Sequence, residues 1–223
     1  MGPVVGREIL RLVPRSPQAP LVVDEVPAGQ GIADVVAVRF DTGALRDRLD
    51  ALVGPICSPL RVRTLLALRS DRLTRIATLA RKVHASPTSL TRSTLRPLAE
   101  DGLVEVCGDC ARSTGAWRPV DGHVTAIELK LSKWRDALRQ ADNIAIGADR
   151  SWVVLDAARA SQAVAAADQF RAFGVGLAVV GAESPLRIVV RPSGRRPERW
   201  LRALMAECAW RRVEADALAR LGV

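Results

Sequence analysis

The spacing of hydrophobic and polar positions changes along the chain and divides it into parts. Near the start, the β-branched runs "LVVDEV" and "IADVVAVRF" flank the turn segment "PAGQG", a pattern that predicts a β-hairpin. Later apolar runs predict strands at 122–131, 151–155, 175–180 and 186–190. Helical spacing predicts helices at 5–13, at 132–146 with Ser132 as N-cap, at 157–173 and from 197 to 221. The expected fold is therefore mixed α/β.

Residues 42–120 have a mainly helical rhythm. It predicts helices at 58–70, 73–83 and 86–102, and then two short strands around a polar tip. This order resembles a winged helix-turn-helix domain over residues 58–120. The residues that carry the likeness are Ala77 and Ala80 in the second helix, the turn at His84-Ala85, Ser86 as N-cap, Pro87 at the first helical position and Gly102 at the end of the third helix.

The resemblance implies a way of binding DNA. In winged-helix proteins the N-terminal part of the third helix enters the major groove. The positions here that match its exposed side are Thr88, Ser89, Arg92 and Arg96, whereas Leu90, Leu95 and Leu98 fit its buried side. Arg112 and Arg118 would flank the wing and contact phosphates. A unit of this kind used for protein contacts is the alternative.

The charge distribution favours the same partner. The formal net charge is +9, and residues 42–120 hold 13 Lys and Arg against 7 Asp and Glu, which is +6 of the total. Such a surface suits a polyanion, most simply DNA, although an Arg-rich composition can also reflect genome bias. No apolar run is long enough to span a bilayer, and no secretory signal is recognisable, so we expect a cytoplasmic protein without a membrane partner.

Without residues 42–120, the chain reads helix, strand, strand, strand, helix, strand. With Asp34 in the second strand and Glu128-Leu129-Lys130 in the third, this order resembles the PD-(D/E)XK nuclease superfamily, which has a restriction-endonuclease-like αβββαβ core. The likeness to its Holliday-junction-resolvase-like and Mrr-like members extends to Glu8 and Gln140. It implies a core formed by 1–41 and 121–195, an inserted DNA-binding domain at 42–120, and a C-terminal helix at 196–223 that packs on the core or forms a homodimer.

The family chemistry depends on residues that converge on one metal. Residues two apart on a strand point to the same face, so Glu128 and Lys130 lie together, and Asp34 on a neighbouring strand adds a second carboxylate. Oxygen ligands of this kind suit Mg²⁺, or Mn²⁺ in its place, and the metal would activate a water for attack on the phosphate. Lys130 is one of only three lysines among 33 basic residues. Gln140 would support the water or the phosphate, and the extra acidic residue would be Glu8 or Glu25.

The leading hypothesis is thus a metal-dependent DNA endonuclease that a winged helix directs to its substrate. A transcriptional regulator that keeps an inactive nuclease fold for binding or dimerisation is the alternative. The pair Cys107 and Cys110 has the spacing of half a zinc site, or it is two reduced cysteines on a hairpin.

Overall fold

The computed structural model describes residues 8–28, 31–181 and 185–213, and they fold into two sheets surrounded by helices. The strands are β1 (Leu21–Pro27), β2 (Ile32–Phe40), β3 (Thr74–Arg75), β4 (Val104–Cys107), β5 (Cys110–Ser113), β6 (Asp121–Lys130), β7 (Arg150–Asp156), β8 (Gly176–Val180) and β9 (Arg187–Val190). The helices are α1 (Thr42–Asp50), α2 (Pro59–Ala67), α3 (Ile76–Val83), α4 (the consecutive segments Pro87–Leu90, Thr91–Leu95 and Arg96–Glu100), α5 (Trp134–Ala145), α6 (Ser161–Ala165), α7 (Ala167–Phe173) and α8 (Arg199–Arg211).

The larger sheet has six strands in the order β1-β2-β6-β7-β8-β9. Its centre, β6-β7-β8, is parallel, and the outer pairs are antiparallel. The predicted α/β class and the predicted β1–β2 hairpin are confirmed. Both faces of the sheet are covered, which explains why β7 is a nearly continuous apolar run.

Alternate residues of each strand pack on opposite faces of the sheet. On one face, α5 and α7 pack on Val153 and Leu155, while α8 packs on Val36 and Ala126. On the other face, Ile9 and Leu12 pack against a second set of side chains, which are Val35, Ile127, Trp152 and Val154. A residue's parity along the strand therefore decides which surface its side chain reaches.

The chain leaves the large sheet after β2 and returns to it at β6, although these strands are direct neighbours. The two ends of residues 42–120 meet, because the Asp41 amide donates to the Val120 carbonyl at 2.9 Å. Between them, α2, α3 and α4 enclose a small core with the second sheet, whose strand order is β3-β5-β4. The buried side of α4 consists of Leu90, Leu95 and Leu98, as the sequence predicted.

A buried ion pair joins residues 42–120, the helical unit, to the C-terminal helix. Arg48 on α1 and Glu207 on α8 have fully buried side chains, and Arg48 Nη1 lies 2.8 Å from Glu207 Oε1. Glu207 also accepts hydrogen bonds from the Trp117 indole at 3.0 Å and from the Ile56 amide at 2.7 Å. Both carboxylate oxygens are therefore satisfied, which is the condition for a stable buried charge.

The structure differs from the sequence predictions at several helix ends. Ser132 is not the N-cap of α5, because Lys133 has a left-handed backbone (φ 58°) and the helix begins only after it. The helix predicted at 157–173 is interrupted, because the Ala166 amide closes one turn onto Gln162 and the hydrogen-bond ladder restarts from the Ala166 carbonyl. The helix predicted at 73–83 begins at Ile76, since Thr74 and Arg75 pair with β5.

The terminal helices also differ. Residues 5–7 of the first predicted helix lie outside the described residues, and the part that follows includes a 3₁₀ turn at Leu10–Leu12. The C-terminal helix ends at Arg211, and Leu218 lies outside the described residues. Leu201, Leu204, Met205 and Cys208 are buried within the protein, so these positions serve core packing.

Replacing Glu207 tests the buried ion pair. We expect Glu207→Ala to lower the free energy of unfolding by about 3–5 kcal/mol, because Arg48 would keep a buried positive charge without a counter-ion. The control is Asp71→Ala, which breaks an exposed ion pair with Arg69 and should leave the free energy of unfolding near the wild-type value. Urea denaturation followed by circular dichroism measures both. Equal effects of the two substitutions would contradict the structural role of the Arg48–Glu207 pair.

Candidate active site

Asp34, Glu128 and Lys130 lie together where β2 and β6 run side by side. Lys130 Nζ is 2.8 Å from Glu128 Oε1 and 3.8 Å from Asp34 Oδ2. The Leu129 amide donates to Asp34 Oδ2 at 2.8 Å. The β2–β6 register explains the convergence: Val35 is opposite Ile127, so one further step brings Asp34 beside Glu128 on the other face of the sheet.

Glu128 is a buried and only half-satisfied carboxylate. Glu128 is 2% exposed, and its Oε2 atom has no hydrogen-bond partner among the described residues. Its neighbour on β7 is the apolar, buried Val153. Burial raises the pKa of Glu128, the hydrogen bond from Lys130 lowers it, and the nearby Asp34 charge raises it again. Glu128 therefore carries a buried acceptor without a donor, beside the side chains of Asp34 and Lys130.

Lys130 is partly exposed and is held in its charged form. Its hydrogen bond to Glu128 raises the pKa of Lys130, and the Asp34 carboxylate acts in the same direction. The site thus contains two acidic groups with one ammonium between them. This arrangement places a positive charge where a phosphate oxygen could approach from solvent.

A recess of about 550 Å³ adjoins Lys130. Gln140, exposed on α5, lines it, so this predicted residue lies on the same side of the protein as the three-residue cluster. Lys133 and Arg139 line the recess as well, and neither was among the predicted site residues. The rarity of lysine in this chain was a signal that could have pointed to Lys133.

Glu8 and Glu25 are not part of the cluster. The Leu186 amide donates to Glu8 Oε2 at 2.9 Å, and Arg11 donates to the same oxygen at 2.7 Å. These contacts, the Leu186 amide first, lower the pKa of Glu8. The neighbouring Ile9 packs on the sheet face opposite Glu128. Glu25 is exposed, with φ 54°, and lies between the pairs Asp24–Val35 and Val26–Ala33, so the register places it opposite Asp34. Among the described residues, no hydrogen bond or ion pair joins Glu25 to the cluster.

The described residues contain no group of three or more His, Cys, Asp or Glu side chains placed to hold a metal. The acidic set is therefore the pair Asp34 and Glu128. Cys107 and Cys110 face each other across the β4–β5 hairpin, and both are free thiols.

The positions predicted to bind DNA are all exposed, but their local partners differ. Thr88, Ser89, Arg92 and Arg96 lie on the outer side of α4. Arg96 pairs with Glu100 at 3.1 Å, Arg112 with Glu105 at 2.6 Å and Arg118 with Asp47 at 2.5 Å. Within the described part of the chain, Arg92 has no such partner. Arg92 is therefore the arginine of this set whose guanidinium is available to bind a ligand.

Helix α4 contains a π-helical segment at its centre. The segment Thr91–Leu95 is π-helical, and the Arg96 amide bonds to the Thr91 carbonyl, five residues back. Pro97 has no amide hydrogen to donate, so the regular ladder cannot continue through it. Ser86 caps the start of the helix, as predicted, by accepting from the Ser89 amide at 3.1 Å.

No protein-family model, no curated protein and no solved structure matches the chain. Among the helices of the described ranges, none has the length and apolar character to cross a bilayer.

Removing Lys130 should make stability more sensitive to pH. In Lys130→Met, Glu128 loses its hydrogen-bond donor, so its pKa in the folded state should rise further above the ordinary 4.5. At a pH between the ordinary pKa of the unfolded state and the raised pKa of the folded state, the folded state binds more protons than the unfolded state. The free energy of unfolding therefore falls as the pH rises from about 4.5 towards neutral.

Thermal melting of wild type and Lys130→Met from acidic to neutral pH measures this effect. Glu128→Gln combined with Lys130→Met is the control, because it removes the titrating group and should flatten the difference. Parallel profiles of Lys130→Met and wild type would show that the ammonium does not hold the Glu128 charge.

Proposed function

We propose that the protein is a metal-dependent DNA endonuclease of the PD-(D/E)XK type, with residues 58–120 acting as a winged helix that binds DNA. The observation that carries the proposal is the convergence of Asp34, Glu128 and Lys130 around a buried carboxylate oxygen that has no partner among the described residues. Carboxylates of this kind are costly to bury without a ligand or donor.

The donor set suits a hard divalent cation. Glu128 Oε2 is unpartnered, and the Asp34 carboxylate lies on the adjacent strand, so these two residues would hold Mg²⁺ or Mn²⁺. When bound, such an ion supplies an activated water and neutralises negative charge on a phosphate. Two protein carboxylates are sufficient, because Mg²⁺ usually keeps several waters and takes further oxygens from phosphate.

The other side chains would orient the phosphodiester. Lys130 is held next to both carboxylates and remains charged, which places an ammonium where negative charge develops during hydrolysis. Lys133 and Gln140 line the adjoining recess and offer donors to neighbouring phosphates. Arg139 lines it as well, but it is paired at 3.3 Å with Asp136, which lines the same recess. Hydrolysis of a phosphodiester bond is the chemistry that this combination of groups suits best.

The helical unit supports DNA as the substrate. Its order of elements is helix, short strand, two helices and a hairpin, and the three strands form one small sheet. α4 presents hydroxyls and Arg92 to solvent at its N-terminal half. Base edges in a major groove are read by donors and acceptors of this type.

A DNA-binding regulator with an inactive nuclease fold is the second candidate. The placement of Glu8 favours it, because Glu8, one of the two candidates for the extra acidic residue, instead binds the Leu186 amide and Arg11. The two candidates share the DNA-binding unit and differ in whether the cluster hydrolyses DNA.

Cleavage of plasmid and branched DNA with Mg²⁺ or Mn²⁺ tests the proposed activity. We expect metal-dependent nicking by the wild type, and a loss of at least about 100-fold in rate for Lys130→Ala, because a charge next to the reacting phosphate is removed. Lys82→Ala removes an exposed lysine of α3 and should keep the wild-type rate at saturating protein. DNA binding without cleavage of any substrate would favour the regulator.

Titration of labelled duplex DNA tests the proposed recognition helix. Arg92→Ala should weaken binding by about tenfold, because the unpaired guanidinium would contact bases or phosphates directly. Arg112→Ala should weaken it less, since Arg112 is already paired with Glu105. Unchanged affinity of Arg92→Ala, with an unchanged melting temperature, would count against α4 as the DNA-contacting helix.

A further inference from the structure

A second recess lies on the sheet face opposite the Asp34–Glu128–Lys130 cluster. It has a volume of about 780 Å³ and is lined by residues of the N-terminal segment, β7, β9 and the residue that follows β9. Trp152, which lines it, belongs to the core with Ile9, Val35 and Ile127, whose side chains alternate with those of Asp34 and Glu128. The two recesses are therefore separated by the sheet itself.

The charged lining of this recess is entirely basic. Among the described residues that line it are four arginines and no Asp or Glu; the arginines are Arg11, Arg15, Arg150 and Arg191. Arg11 is paired with Glu8, and the side chains of the other three have no ion pair or hydrogen bond within the described ranges. Three uncompensated guanidinium groups around one concavity favour an anionic ligand.

Trp152, which lines the recess, has a buried donor with no acceptor. Trp152 is 1% exposed, and its indole Nε1 has no hydrogen-bond partner among the described residues. Carbons of its six-membered ring lie over Gly176, where an added Cβ would approach them within 2.7 Å, so Nε1 is on the opposite edge of the indole. Thr125 Oγ1 is also buried and unpartnered, and Thr125 faces Arg150 across the β6–β7 ladder. A buried indole N–H usually has a partner.

The walls of the recess are held in place by other contacts. Arg39 donates to the carbonyls of Pro14 and Gln18, and Gln18 donates to the Phe40 carbonyl at 3.1 Å. The segment that carries Arg15 is thereby fixed to β2. An anion would meet an ordered wall, which lowers the entropic cost of binding.

We propose that this recess binds a terminal phosphate group, with Arg15, Arg150 and Arg191 on the phosphate oxygens and Trp152 in the lining beside it. Its volume is in the range of small-molecule sites. A duplex backbone would touch the rim arginines, whereas a small or terminal phosphate could enter between them, next to Trp152. The terminal phosphate could belong to a free nucleotide or to the 5′ end of a nucleic acid strand.

Calorimetric titration in buffer with a chelator tests the proposal, with inorganic pyrophosphate, adenosine triphosphate and a short oligonucleotide with and without a 5′ phosphate as probes. The wild type should bind at least one phosphate-terminated probe. Arg15→Ala and Arg191→Ala should each weaken that binding by about tenfold, as expected for loss of a charge-assisted hydrogen bond. Trp152→Phe keeps an aromatic ring without the donor and should weaken binding while leaving the rim arginines in place.

Two controls make the result specific. Arg196→Ala removes an exposed arginine that does not line the recess and should bind as the wild type does. The chelator is the second control: the measured binding then needs no divalent cation, so a failure of the proposed metal-dependent nuclease activity would leave this proposal intact. A preference for the 5′-phosphorylated oligonucleotide over the triphosphate would identify a strand end as the source of the phosphate.

The proposal would be overturned by no binding of any phosphate probe at about 1 mM, a weak affinity for a site of this type. Equal losses in Arg191→Ala and Arg196→Ala would overturn it as well, because binding would then reflect net charge alone. If Trp152→Phe does not fold, the arginine variants decide.

Discussion

The antiparallel pairing of β2 with β6 is the constraint on which the rest of the structure depends. It places Asp34 beside Glu128, and it requires the chain to close a loop of about 80 residues, which costs about 4 kcal/mol in its length-dependent entropy. The Asp41–Val120 hydrogen bond closes the loop locally, but one such bond contributes far less than that. The remainder comes from packing, because the helical unit, α8 and the large sheet share one continuous apolar cluster. The unit is thus a structural part of the core, and its orientation relative to the Asp34–Glu128–Lys130 cluster is held by the Arg48–Glu207 pair.

Two buried glutamates show how the same residue type serves different ends. Glu207 receives donors on both oxygens, from Arg48, Trp117 and Ile56, and so has no capacity left for a ligand. Glu128 has a donor on one oxygen only. A buried acceptor without a donor is destabilising unless something else occupies it. This difference in satisfaction, rather than burial itself, distinguishes a structural carboxylate from a candidate ligand.

Local pattern was enough to predict the parts of the molecule that local physics decides. The β-branched runs at 21–26 and 32–40 and the apolar run at 122–131 predicted strands, and the two-residue spacing of Glu128 and Lys130 predicted a shared face. The structure bears out both. Long-range contacts were beyond such patterns. Nothing local indicated that Glu8 binds the amide of Leu186, 178 residues away, or that Glu207, within the apolar stripe of α8, would pair with Arg48. Ser132 failed as an N-cap because the tight turn after β6 is made by Lys133, whose left-handed backbone no capping rule anticipates.

The large sheet separates two sets of polar groups that share the same strands. On β6, Glu128 and Lys130 face one side, while Thr125 and Ile127 face the other. On β7, Val153 packs under α5, while Arg150 and Trp152 line the basic recess. A shift of one residue in the β6–β7 register would exchange these sets and bury charge on both faces, so one pairing fixes both surfaces at once. For this reason a ligand in the basic recess and a metal at Asp34 and Glu128 would lie on opposite faces of the sheet, without direct contact. The residues that would bind them belong to neighbouring strands.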